Sequence, residues 1–232
     1  MKALAAVALR EKLFKAPPPA RRQPYTTVRP VYSRKMRRRV YAFGDSRFAL
    51  WLELEFDPTV ASFNLEPPVF PLVDGAGEDD PISIPMAAVS LDNADHLTLH
   101  FEESDLGSKG RPAIAERISR SQDWRALGAS IAFWKDLADL GRLDRANKHA
   151  LLRYLCAPQV VANAEIEKLI LRELGTVRKL CIWDILQKLD AFDAEYVKTA
   201  LAHLISDKKV FLDMTRRLDV LSEISRQDIF HA

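Results

Sequence analysis

Only two cysteines, Cys156 and Cys181, occur in 232 residues, and neither belongs to a CxxC pair or a Cys/His cluster. A disulfide framework and a structural zinc site are therefore not expected, and both thiols read as reduced residues of helical segments in a cytoplasmic protein. Long apolar runs are also scarce. The stretch 3–9 stops at Arg10, Glu11 and Lys12, and no other segment approaches the about 20 residues that span a bilayer, so neither an export signal nor a membrane partner is expected. No G-x-x-x-x-G-K-[ST] loop is present, which argues against an ATPase. The five histidines (His96, His100, His149, His203, His231) lack metal-ligand spacing, and no Ser/His/Asp arrangement is visible. There is no internal repeat and no low-complexity block.

What is present is enough apolar material for ordinary cores, 48% of the chain, and a marked segregation of charge. Residues 1–40 hold twelve Lys/Arg against Glu11 alone, a charge of +11, which leaves −9 on the rest of a chain whose total is +2. A basic arm on an acidic body suits a polyanionic partner, because neutralising phosphates releases counterions whatever the sequence. A solvated tail is the plainer alternative. The candidate DNA contacts are Arg21, Arg22, Arg29, Arg34, Lys35, Arg37, Arg38 and Arg39. Prolines through 16–30 fix φ and remove donors, so residues 1–39 read as an extended Pro/Arg-rich arm.

From residue 40 the pattern changes. Residues 40–43 read as a strand, Gly44 and Asp45 as a turn, and Ser46 as the N-cap of a helix to Glu55. Strands follow at 60–65, 69–73, 82–91 and 96–102. In the last of these Leu97, Leu99 and Phe101 alternate with polar residues, as in a half-buried strand paired with its predecessor. A helix over 113–127 closed by Gly128, a strand at 130–134 and a helix at 143–155 complete a mixed α/β domain, residues 40–157. Residues 158–232 read as a second domain. Helices at 164–174 (ended by Gly175), 183–189 and 194–206, with a strand at 210–213, suggest a winged helix-turn-helix whose third helix is available to a DNA groove or a protein. The tryptophans Trp51, Trp124, Trp134 and Trp183 fall at apolar positions and are expected in cores.

Three stretches in this order resemble the TnsA family, the endonuclease subunits of heteromeric bacterial transposases. They are VYAFGDSRFALWLELEFDPTVASFNLEPPVFPL at 40–72, DWRALGASIAFWKDLADLGRLDRANKHALLRYL at 123–155 and LCIWDILQKLDAFDAEYVKTALAHLISDKKVFLDMTRRLD at 180–219. The resemblance implies a restriction-endonuclease-like mixed sheet with flanking helices, followed by a winged helix. It also implies transposon-end DNA, a DDE transposase subunit and an AAA+ regulatory ATPase as partners.

Nucleases of this fold hold a divalent metal on carboxylates, which activates water and neutralises charge developing on the phosphate. The family's helix acid, three residues after a serine, falls on Ala49. Its strand Asp, after an Ile-Pro-like pair, falls on Met86, whose thioether is no ligand for a hard cation. Its acid-x-Lys pair falls on His100 and Glu102. The resemblance thus implies a pseudonuclease without a metal cofactor. Two alternatives stand beside it: an active Mg²⁺- or Mn²⁺-dependent endonuclease with ligands relocated among Glu53, Glu55, Asp92, Asp95, Glu102 and Glu103, and a winged-helix transcription regulator.

Overall fold

The computed structural model of the chain describes residues 10, 11, 13, 14, 27–65, 87–91, 97–102, 116, 119, 128–134, 141–156 and 164–227. They form a mixed α/β structure that divides into two compact units.

The first unit comprises residues 1–31, 35–54 and 59–139. It opens with a two-stranded hairpin, β1 (Val28–Ser33) and β2 (Arg38–Phe43). The last part of the expected extended arm is therefore folded. Pro30 is tolerated because it lies at an exposed position of a two-stranded sheet, where an outward-facing N–H is not needed for the ladder. Arg37 closes the four-residue turn at φ +50, the left-handed conformation such hairpin loops require. The arm reaches the core as well: Leu13 is fully buried and its carbonyl accepts a 2.6 Å hydrogen bond from Asn64 Nδ2.

Helix α1 (Gly44–Phe56) begins two residues before the expected Ser46 cap. Gly44 makes the entry possible, with φ +80 and an N–H donating to the Thr27 carbonyl at 2.8 Å. From Ala49 to Phe56 every residue but Glu53 is buried, as expected of a helix that is apolar on nearly all sides.

The main sheet has the order β3 (Val60–Asn64), β4 (Ala87–Leu91), β5 (Leu97–Glu102), β6 (Ser130–Trp134). The first two pairings are antiparallel and β5 runs parallel to β6. A parallel pair needs a long crossover, and here residues 103–129 supply it, with Glu116 and Ser119 helical. The alternation in β5 does what period 2 demands: Leu97, Leu99 and Phe101 are buried, and Phe101 meets Phe133 of β6. The strand expected at 69–73 lies outside the described residues, as does the start of the one expected at 82–91.

The second unit comprises residues 32–34, 55–58 and 140–232. It includes α2 (Arg142–Leu155). It continues with α3 (Ala164–Thr176), β7 (Leu180–Cys181), α4 (Ile182–Lys188), α5 (Ala194–Ser206), β8 (Val210–Leu212) and β9 (Glu223–Arg226), the strands forming an antiparallel sheet in the order β7-β9-β8. Ile166, Ile170 and Leu174 of α3, Ile185 of α4, and Val197, Ala200, Leu201 and Leu204 of α5 are buried, at the three- and four-residue spacing of one helix face.

Three further local expectations fail in this unit. Helix α3 continues one residue past Gly175. Cys181 is not helical but caps α4, its sulfur accepting from Asp184 N–H while the Asp184 carboxylate accepts from Cys181 N–H. Trp183 is 49% exposed, unlike Trp51, because it follows that cap on the outer side of a short helix. No helix among the described residues is long and apolar enough to cross a membrane.

Candidate functional site

Ala49, Met86, His100 and Glu102 are the positions at which the resemblance expects lost nuclease residues. Ala49 lies on α1, 2% exposed, between residues that are themselves core, and its methyl group offers no ligand. His100 lies on β5 opposite Ala87 of β4 and Ala132 of β6, on the strand face away from Leu99 and Phe101. Burial pushes its pKa down to about 4, so the imidazole is neutral at pH 7. Glu102 ends β5 opposite Trp134, and Met86 lies outside the described residues. Among the carboxylates proposed as relocated ligands, Asp92, Asp95 and Glu103 also lie outside them. Glu53 is half-buried on α1.

Glu55 has a different occupation. Its side chain is 1% exposed, with Oε2 accepting from Ser33 Oγ and Oε1 from the backbone N–H of Arg34, both at 2.8 Å. Both oxygens are thus held by the end of β1, which leaves this carboxylate a structural acceptor. Around it the second unit gathers further polar groups. Arg34 Nη2 donates to Asp207 Oδ1 at 2.5 Å and to Ser206 Oγ at 3.4 Å, and Ser206 Oγ donates to the Glu55 carbonyl. Cys156 Sγ donates to the Tyr32 carbonyl at 2.9 Å. Burial, helped by Glu55, pushes the thiol up to about 12, so it is protonated and unreactive. Among the described residues no three of His, Cys, Asp and Glu stand together as metal ligands.

The candidate DNA contacts separate into two sets. Arg29 is paired with Asp45 at 2.7 Å and lies over the Phe48 ring at 4.7 Å. Arg34 is tied as described, and Lys35 Nζ donates to the Leu54 carbonyl at 2.7 Å. These three make contacts within the protein. Arg37, Arg38 and Arg39 have no ion pair among the described residues, and Tyr41, 52% exposed, follows Arg39 at the strand period on β2. Arg21 and Arg22 lie outside the described residues.

In the second unit α5 packs against α2 and α3, and eight of its thirteen residues are buried, while Glu195 and Tyr196 in its first turn are exposed. Its cations are few: Lys198 is paired with Glu195 at 2.9 Å, and burial lowers His203 to about 4, although Glu167 lies 3.7 Å away. Sequence reasoning missed Asn147 of α2, 3% exposed. Its Nδ2 donates to the Met214 and Arg216 carbonyls at 3.0 and 2.5 Å, and its Oδ1 accepts from Leu218 N–H at 2.9 Å. One side chain therefore fixes the loop between β8 and β9. Its only signal in sequence was an amide on the apolar stripe of a helix.

No protein-family model matches the chain, and no curated protein matches it.

Proposed function

We propose that the chain is a TnsA-like, non-cleaving subunit of a DNA transposition complex, with a restriction-endonuclease-like first unit and a winged-helix second unit. It binds transposon-end DNA and links a DDE transposase subunit to an AAA+ regulatory ATPase in the cytoplasm. The mixed sheet with a buried helix supports the first assignment. The order helix, strand, helix, helix, strand, strand around an antiparallel sheet supports the second. The observation that carries the loss of cleavage is the state of the expected positions: a buried alanine at 49, a neutral histidine at 100, and a Glu55, six residues along α1, whose two oxygens are already engaged. Cleavage by this fold needs carboxylates free to hold a metal that generates hydroxide and neutralises the phosphorane oxygens, and the described side chains at the expected positions, Ala49 and His100, supply none. The covered α5 favours a protein-docking role for the second unit over a transcription regulator's groove reading.

The test is strand cleavage. The purified chain, with its transposase and ATPase and either Mg²⁺ or Mn²⁺, is expected to leave transposon-end duplexes unnicked. Metal-dependent nicking lost in Glu53→Ala or Glu103→Ala would establish the relocated-site alternative.

A further inference from the structure

We propose that the β1–β2 hairpin is a ribbon that docks in the major groove of duplex DNA, with Arg37, Arg38 and Arg39 on phosphates and Tyr41 against the groove wall. This deepens the DNA-binding reading above and rests on it. The hairpin is tied down at several points. Arg29 ties β1 to Asp45, Lys35 ties the turn to the Leu54 carbonyl, the Met36 sulfur accepts from Phe63 N–H at 3.3 Å, and Gly44 N–H closes on Thr27. A hairpin held at its turn and its base loses little freedom on binding, unlike a disordered basic tail.

Charge and shape then agree. The basic residues at the flanks of the hairpin have partners inside the protein, while the three consecutive arginines from the turn into β2 have no carboxylate among the described residues. Arg39 and Tyr41 are exposed on one face of β2. The left-handed Arg37 carries the tip. Two strands about 4.8 Å apart, with side chains above and below, fit the about 12 Å major groove of B-form DNA. The major groove of A-form RNA is deep and narrow and excludes such a ribbon. Single strands present no groove.

The experiment uses the full chain, because Leu13 is part of the core and the arm cannot simply be removed. Binding to a fluorescent duplex is measured against salt for the wild type, for Arg37→Gln/Arg38→Gln/Arg39→Gln, and for Lys2→Gln/Lys12→Gln/Lys15→Gln/Arg21→Gln/Arg22→Gln. Loss of three phosphate contacts is expected to reduce the log–log salt slope by about 2.7. Because Arg38 is partly buried, the exposed pair Arg39→Gln/Tyr41→Ser serves as a second variant, expected to reduce the slope by about 0.9 at an unchanged melting temperature. Guanine N7 atoms under the bound hairpin are expected to be protected from methylation, and an RNA duplex of the same sequence is expected to compete poorly. A slope that survives both hairpin changes but falls in the five-site variant would overturn the ribbon and leave DNA binding standing. Equal competition by RNA duplex, or unprotected N7 atoms, would overturn groove docking. No binding by the wild type at low salt would overturn the DNA-binding reading itself.

Discussion

Glu55 separates a structural carboxylate from a catalytic one, and its removal has a calculable cost. The group is 1% exposed and holds two donors, Ser33 Oγ and Arg34 N, at 2.8 Å each. Hydrogen bonds to a charged group contribute about 1.5–3 kcal/mol, and a buried donor left alone costs about 1–3 kcal/mol. Glu55→Ala strands both donors and opens a cavity, so a loss of about 4 kcal/mol is expected. Ser33→Ala leaves Arg34 N in place and is expected to cost about 2 kcal/mol. Glu55→Gln keeps an acceptor for one donor and is expected to cost a similar amount. If the Ser33 hydroxyl and the Glu55 carboxylate form one unit, the double change Ser33→Ala/Glu55→Gln costs less than the sum of the singles by about 1 kcal/mol or more.

The assay is urea unfolding followed by far-ultraviolet circular dichroism, with a parallel thermal melt in 5 mM EDTA and in about 5 mM Mn²⁺, a concentration chosen to saturate a weak carboxylate site. A structural Glu55 gives wild-type melts that are the same with and without Mn²⁺. A metal-ligand carboxylate behaves in the opposite way, because a ligand held without its metal is unfavourable and its neutralisation stabilises the apo fold. A higher melting temperature for Glu55→Gln, or a Mn²⁺-dependent rise in the wild type that this variant lacks, would refute the structural assignment.

Three other outcomes follow from the geometry. Asn147→Ala removes three hydrogen bonds to the β8–β9 loop and is expected to cost about 3 kcal/mol, with faster amide exchange at Leu218 as the check. Lys208 sits at φ +53 in the helix-ending position after α5, where its N–H and that of Lys209 bond back to Ile205 and Leu204. Lys208→Gly is expected to raise stability by about 1 kcal/mol, read as a higher urea midpoint at unchanged slope. His100, with its pKa lowered to about 4 by burial, binds a proton more readily unfolded than folded between about pH 6.5 and 4. Its contribution is therefore present above pH 6.5 and lost as pH falls through that window, by up to about 1.4 kcal/mol per pH unit; His100→Gln is expected to flatten the pH dependence there.

Period and punctuation were legible where one short-range force dominates. The alternation of Leu97, Leu99 and Phe101 gave β5 its buried face, and α5 runs from Ala194 to Ser206 as its pattern predicts. The failures share a cause, a distant partner outweighing a local signal. The prolines of the arm predicted extension, but Val28–Ser33 pairs with Arg38–Phe43, and its basic residues find Asp45 and Asp207 far along the chain. Ser46 had the chemistry of a cap, yet Gly44 starts the helix through a bond to Thr27. The candidate site was legible in composition only: the alanine at 49 was visible, whereas the engagement of Glu55 depends on a serine 22 residues away. Asn147 depends on carbonyls 67 and 69 residues away.

Glu55 and Ala49 also bear on each other through electrostatics. A cutting site of the proposed fold concentrates several carboxylates around a metal, and without the metal their mutual repulsion and desolvation oppose folding. In α1 the turn from Leu52 to Phe56 places one carboxylate, Glu55, in a dry environment and satisfies it with a hydroxyl and a backbone amide, which need no ion. Ala49, six residues earlier on α1, carries no charge, and His100 on β5 is neutral. Among the described residues Arg37, Arg38 and Arg39 meet no acid, and they lie on the hairpin whose turn end Glu55 holds through Ser33 and Arg34. On the reading proposed above, the charge chemistry of the hairpin serves to present a DNA-binding surface, and a single acid restored at the buried position 49 would be desolvated before it could help to bind a metal.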